Sequence, residues 1–537
     1  MAHDRPNRRY LALAFPHLPT DRIARARWGR SWICDGRPEA PPLAVTDTVK
    51  NAVRLTGLEP GAAALGLSPG QTLTDARALR PDLDAQPADR QADAGLLHAL
   101  AAWCDRYSPL VALEQDDPRE RTMPRLMLDI TGCAHLWKGE DGLLDDLLTR
   151  LRGQGLHARA GLADTQGAAR ALALHASGGS HPRAVAAPGG ARAALDALPV
   201  SALGIGTEVA TALTRVGLKT VGCIADLPRA PLARRFGAAL MTRLDRALGR
   251  EKEALTPLRA PAALSAEKAF FDPISHESDI DRAIALLAEA LVPLLEDRGL
   301  GARRLELRLF RVDGHVERLQ VASAGPLRRA DRIAGLFRDR IAGLRQDIEA
   351  GFGFDLVKLD VAQSERFGGA QGDLVDRRAA EDGFAALVDR LGARLGPERV
   401  RGFVGADTHI PERAFGTLPL SRLRAGSEPA SPAAKAPVPP LSRPLFLLAR
   451  PEPVETVAQI PDGPPLRFRW RKVGHAVTRA EGPERIACEW WRDGRSAPTR
   501  DYFRVEDGDG YRFWMFRHGL YAREAVQPRW YMHGVFG

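Results

Sequence analysis

One acid stands inside an apolar stretch of this chain: Asp129, in Leu126-Met127-Leu128-Asp129-Ile130-Thr131-Gly132. A run of that kind stopping at Thr-Gly reads as a buried strand ending in a turn, and the plain account of its acid is a carboxylate that hydrogen-bonds the turn. Asp116, Asp117 and Glu120 lie in a loop just upstream and are further carboxylates that could approach the strand for metal or proton chemistry. A second chemistry, the holding of phosphate, is suggested at Leu203-Gly204-Ile205-Gly206-Thr207 and Val216-Gly217-Leu218-Lys219-Thr220-Val221. Gly-hydrophobe-Gly between short helices exposes backbone N–H groups at a helix N-terminus, where a nucleic-acid phosphate binds without regard to base; the alternative is an ordinary turn. A third signal is arginine, with twelve against five acids between Arg298 and Arg345. Arg303, Arg304, Arg308, Arg311, Arg318, Arg328, Arg329 and Arg332 either line a phosphate-tracking face or form a solvated charge pattern.

Several folded units must position these residues. At 537 residues the chain is expected to hold three to five domains, at about 100–200 residues each. Its net charge of +9 favours an extended polyanion as partner over a general solubility charge. No apolar run approaches the ~20 residues of a membrane span, and residues 1–10 lack a secretory signal. Cys34, Cys104, Cys133, Cys223 and Cys488 are far apart with no CxxC, as expected of reduced thiols in a cytosolic protein and not of a zinc module.

Strands are expected at 10–15, 43–45, 111, 126–130 and 157–163, and helices from about 21, at 93–107, 143–151 and 166–176, which suggests a split βαβ sheet with helices on one face. Leu305, Leu307 and Leu309 alternate with Glu306, Arg308 and Phe310, as in a half-buried strand. Residues 425–444 hold six prolines and read as a linker. Beyond it, Trp470, Trp490, Trp491, Trp514 and Trp530 with strand-like alternation suggest a small β-rich module. Its aromatics either stack bases or form a compact core.

In this order the segments resemble the Y-family (UmuC-like) translesion DNA polymerases, and within it the ImuB-type proteins of bacterial mutasomes. The resemblance runs from about residue 8 to 415. It rests on Leu128 to Gly132, on Ala160-Gly161-Leu162-Ala163-Asp164-Thr165, on the stretch from Gly66-Leu67 through Pro69-Gly70-Gln71-Thr72-Leu73 to Pro81-Asp82-Leu83, and on the hairpin Gly217 to Gly222. The tail from Pro528 to Phe536 is similar to that of ImuB-type proteins. The resemblance implies an α+β multidomain fold: palm and fingers over 1–185, a helix-hairpin-helix thumb over 186–258, a little-finger-like α+β domain over 259–415, a Pro-rich linker over 416–444 and a β-rich domain over 445–537.

Active members hold two Mg²⁺ with carboxylates, an Asp-x-Asp on the first strand and an Asp-Glu before the Leu-Asp-x-Thr-Gly strand. Here no acid lies between Arg5 and Thr20, and the second pair falls on Pro124 and Arg125. The triphosphate-holding Tyr and Arg fall near Pro60 and Ala63, and an Asn-Lys falls on Thr165 and Gln166. The resemblance thus implies no catalytic residues, no metal and no cofactor, with Mg²⁺ entering only if the chain is an active polymerase whose loop acids rebuild a metal site.

DNA-binding residues implied are Gly204, Ile205, Gly206, Thr207, Gly217, Lys219, Arg303, Arg304, Arg308, Arg328 and Arg329. Implied partners are DNA, the sliding clamp, a RecA-like accessory protein and a separate error-prone polymerase. The clamp peptide would be Gln363 to Gly368, led by Gln363 and ending at Phe367, with Arg366 in place of an apolar residue; a solvated loop is the alternative. A plain DNA-binding repair protein is the other functional reading.

Overall fold

The computed structural model describes residues 8–49, 51–114, 123–178, 181–259, 262–344, 348–367, 377–420, 443–444, 446–494 and 497–537. Two compact units emerge: Met1–Val321 with Pro326–Ala370, and Ala322–Gly325 with Gln371–Gly537.

The first unit begins with β1 (Tyr10–Ala14), α1 (Leu18–Trp28), α2 (Trp32–Asp35), β2 (Leu43–Val49), β3 (Ala52–Leu58), α3 (Leu73–Leu79) and β4 (Asp84–Pro87). Strands β3-β2-β4 form a small separate sheet. Then follow α4 (Arg90–Cys104), β5 (Val111–Leu113), β6 (Arg125–Asp129), α5 (Glu140–Gly153), β7 (Arg159–Ala163), α6 (Gln166–Ala171) and β8 (Arg183–Val185). The main sheet has the order β5-β6-β1-β7-β8. Its centre, β1, is antiparallel to both neighbours, so Ala14 faces Arg125 on one side and Arg159 on the other.

The sheet is covered on both faces, which corrects the expectation of helices on one. Residues 10–15 are apolar throughout, as in a strand buried on two sides. Alternation sends Leu11, Leu13 and Phe15 against Trp103 of α4 and Leu143 and Leu147 of α5, and Tyr10, Ala12 and Ala14 against the alanines of α6. That second layer is thin: a Cβ on Gly161 would lie 2.1 Å from the Ala169 carbonyl oxygen, so β7 needs glycine where α6 crosses it.

Helices α7 (Ala191–Asp196), α8 (Thr207–Arg215), α9 (Val221–Ala225), α10 (Arg229–Phe236) and α11 (Ala238–Ala247) share the core of α6. After them come β9 (Ser265–Ile274), α12 (Glu277–Asp297), β10 (Leu300–Arg311), β11 (Val316–Leu327), α13 (Ala330–Ala342) and β12 (Phe354–Arg366). Their sheet runs β11-β10-β12-β9. In register, Leu305, Leu307 and Leu309 face Val361, Leu359 and Val357, all buried. The opposite face carries Glu306, Arg308 and Phe310 beside Asp360, Lys358 and Leu356.

The second unit contains α14 (Arg377–Leu395), the hairpin β13 (Arg401–Gly405) and β14 (Phe415–Pro419), and β15 (Phe446–Ala458), β16 (Pro465–Trp470), β17 (Val473–Ile486), α15 (Trp490–Asp493), β18 (Arg500–Asp507), β19 (Arg512–His518) and β20 (Arg529–Val535). β14 occupies residues assigned from sequence to the start of the linker, whose residues 421–442 lie outside those described. Strands β15 to β20 close into an antiparallel barrel. Phe503, Phe513, Met515, Trp530 and Met532 fill its core, so most of the aromatic signal reports packing; Trp490 and Trp491 are exposed.

Candidate functional site

Where β1 ends beside the start of β6, the α6 face presents Ala14 and Arg125. The Phe15 N–H donates to the Pro124 carbonyl at 2.9 Å. Arg125, 3% exposed, donates from Nε to Glu114 Oε2 at 2.8 Å. Glu114 also accepts from Arg170 of α6, with Nη2 to Oε1 at 2.6 Å, and Arg170 reaches Glu253 at 3.6 Å. Burial raises the Glu114 pKa, but Arg170 and Arg125 outweigh it and hold the carboxyl below its ordinary value. Burial lowers the Arg125 pKa despite Glu114.

Among the described residues, the centre therefore brings together Glu114, Glu253, Arg125 and Arg170. Glu114 already meets two guanidiniums, an arrangement that repels a divalent cation. Among the described residues, no group of three or more His, Cys, Asp or Glu could hold a metal ion. Asp116, Asp117 and Glu120 lie outside the described residues.

Asp129 bonds its own turn: Oδ1 accepts from the Thr131 N–H at 3.0 Å and from its hydroxyl at 2.5 Å. Thr165 and Gln166 are also engaged locally. The Thr165 hydroxyl caps α6, accepting from the Ala168 N–H at 3.1 Å, and donates to the Ala247 carbonyl at 2.8 Å. Gln166 Nε2 donates to the Glu253 carbonyl at 3.0 Å. Thr165 thus braces α6 on the end of α11, and Gln166 braces it on the segment that follows. Pro60 is exposed, and Ala63 opens a short 3-10 turn.

The phosphate-type signals resolve into two places. Gly204, at φ +67°, ends a short 3-10 helix, and Gly206 precedes α8 with no side-chain cap. Ile205, Gly206 and Thr207 thus lead into first-turn N–H groups that helix geometry leaves unpaired. Gly217, at φ +84°, turns the chain into exposed Lys219 and α9.

On the four-stranded sheet, Arg304 is exposed, Arg303 lies 3.4 Å from Glu365, and exposed Arg329 pairs with Asp331 at 2.6 Å. Arg328 donates to the Leu300 carbonyl at 2.6 Å and covers the Phe367 ring at 4.2 Å. Arg308 is an internal residue, 2.7 Å from Asp105 and 2.5 Å from Asp360, so it is no free phosphate ligand in this arrangement. Gln363 sits in β12 opposite Arg304, and the Phe367 N–H donates to Gly299 at 2.9 Å. The segment 363–367 is thus engaged by β10 and by Gly299 just before it, and 368 lies outside the described residues.

Sequence reasoning missed Glu114, Arg170, Asp105 and Asp355. Each is a single charged residue without motif or periodicity, and only the fold reveals its opposite charge.

The first unit thus combines a sheet covered on both faces, a small sheet inserted after its first strand, a helical layer with glycine turns and a four-stranded sheet backed by helices. No family model matches the chain. It is 27% identical over 243 residues to DNA polymerase IV of Caulobacter vibrioides, covering 44% of this chain and 57% of the relative. The solved structure of DinB from Sulfolobus solfataricus aligns over 66% of this chain and 98% of its own, at 12% identity and a TM-score of 0.37. Protein ImuB of Caulobacter vibrioides strain NA1000 is 43% identical over 482 residues, 88% of this chain and 100% of the relative. The chain belongs to the ImuB family.

Proposed function

We propose that this protein is a non-catalytic, polymerase-like DNA-binding scaffold for damage-induced, error-prone translesion synthesis. The observation that carries this reading is the Arg125–Glu114–Arg170 cluster beside Ala14. Two-metal nucleotidyl transfer needs carboxylates free to bind cations, whereas here the described acid is bound by arginines. The uncapped start of α8 and Lys219 support a DNA-backbone contact. The scaffold would join the sliding clamp, a RecA-like accessory protein and a separate error-prone polymerase, with weak contacts summing through avidity.

The test is primer extension by the purified protein with Mg²⁺ or Mn²⁺ on undamaged and abasic templates, with gel-shift binding to the same DNA. Binding without extension is expected. Extension that survives repurification would overturn the scaffold reading and point to Asp116, Asp117 and Glu120 as metal ligands.

A further inference from the structure

The hairpin that joins β16 to β17 in the second unit carries a backbone cost that the barrel does not require. Trp470 and Val473 are register partners, so Arg471 and Lys472 alone make the turn, and both have positive φ, 48° and 71°. A two-residue turn of this kind prefers Asn-Gly, because long L side chains resist the left-handed region. Two cations nevertheless occupy it, and strain kept in this way points to a use for the side chains.

The tip is braced from within. Arg471 donates to both oxygens of Glu452, at 2.9 and 2.6 Å. It lies 4.6 Å from the centroid of the Trp470 ring, whose Nε1 donates to the same carboxylate at 2.8 Å. The bonds from Arg471 and Trp470 hold the Glu452 carboxyl below its ordinary value. Arg471 is thus occupied by the tip itself, and Lys472 beside it is exposed, with no acid partner among the described residues.

Alternation along β16 sends Phe468 and Trp470 to the barrel core and Arg467 and Arg469 outward. On β17 the register partners of these arginines are Ala476 and Gly474. A Cβ on Gly474 would meet nothing within 4 Å, so the β17 side of both guanidiniums is open. On β15 they face Val457 and Glu455. Glu455, 81% exposed, lies 3.8 Å from Arg469, and Arg467 has no acid partner among the described residues. Elsewhere on the barrel wall, Arg479, Arg485 and Arg512 each meet an acid within 3.1 Å. Arg450, Arg523 and Arg529 lack such a partner among the described residues, but none of them is on this hairpin.

Three outward cations beside a flank of small residues suit a polyanion. β16 is paired on both sides within a closed barrel, so it offers no edge to which a peptide strand could add. Base stacking is excluded here as well, since Phe468 is buried and Arg471 lies over Trp470. We propose that the β16–β17 hairpin is a DNA-backbone site on the barrel, in which Arg467, Arg469 and Lys472 hold phosphates without reading bases. The inference rests on the DNA-binding reading above. It gives the β-rich domain its own grip on DNA, through residues other than those of the glycine turns and the four-stranded sheet, and two such grips on one chain add by avidity.

The experiment compares the full chain with three variants, once circular dichroism shows that all are folded. Arg467→Gln/Arg469→Gln/Lys472→Gln removes the site. Arg479→Gln/Arg504→Gln/Arg512→Gln removes the same charge from cations that already meet acids, and Lys472→Gly relieves the turn. Binding to a primer–template and to a duplex of unrelated sequence is followed by fluorescence anisotropy at several salt concentrations. Expected for the first variant is an affinity about tenfold lower at low salt and a salt slope smaller by about two to three phosphate equivalents, on both sequences. The second should stay within about twofold of wild type. Lys472→Gly should unfold at the same or a higher temperature, because glycine fits its φ, and yet bind about twofold more weakly. Equal affinity and slope in the first variant and wild type, or an equal loss in the second, would overturn the hairpin site while leaving DNA binding intact. Loss of a poly-glutamate probe with DNA binding unchanged would overturn it too, and assign the hairpin to an acidic protein. Folded wild type that binds neither DNA would overturn the DNA-binding reading itself, and this inference with it.

Discussion

Glu114 is the residue on which the central cluster depends. With both its oxygens held by buried guanidiniums, Glu114→Gln takes away the carboxylate that Arg125 and Arg170 share and leaves Arg170 with the more distant Glu253, at 3.6 Å. Removing one partner of a buried pair costs about 3–5 kcal/mol, so thermal unfolding of this variant should fall by several degrees; an unchanged transition would mean that water reaches the cluster. The pH dependence has a definite sign. The folded carboxyl titrates below its unfolded value of about 4.3, so its stabilisation is complete above that pH and is lost as pH falls through the lower, folded value. The acid limb of a stability–pH profile should therefore flatten in Glu114→Gln. Nothing in the pattern around residue 114 announces this. Asp129, by contrast, was legible because a Thr-Gly turn follows it at hydrogen-bonding distance along the chain.

At the scale of elements, the glycine hairpin before α8 makes a prediction in which stability and binding move in opposite directions. Gly206 has φ −52° and ψ 148°, a conformation open to any residue, and has no side chain to accept from the first-turn N–H groups. Gly206→Asp would cap α8 and stabilise it by a few tenths of a kcal/mol. It would also place a negative charge where a phosphate is expected. Tighter folding with weaker DNA binding is the expected pair of results, and unaltered affinity would remove the start of α8 from the DNA face. Part of the strand and helix order in the first unit was readable from periodicity, but β3, β4 and β8 were not foreseen. The double cover of the main sheet was hinted at only by the unbroken apolar run at 10–15, since alternation cannot show which helix lies on each side.

For the whole molecule, the salt dependence of DNA binding tests how separate elements share one ligand. Lys219→Glu and Arg304→Glu alter exposed cations, and each should reduce the salt slope by about one phosphate equivalent, additively, as distant sites do. Arg308→Glu belongs to a different class: it opposes Asp105 and Asp360, and its first effect should be on the attachment of the four-stranded sheet, read as faster hydrogen exchange at 300–311. The sequence by itself determined the α+β make-up, the lack of acids in the first strand and the glycine turns, because these are written in local residue type and spacing, while the reading of Pro124-Arg125 as standing where a carboxylate pair would be came from the resemblance to Y-family polymerases. Only the tertiary structure decided which arginines are free and which are counter-ions. Arg125 and Arg170, 45 positions apart, share Glu114, and Arg308 meets Asp105 across some two hundred residues. Charge pairing at such separations is set by the fold that brings strands and helices together, and linear spacing carries no trace of it.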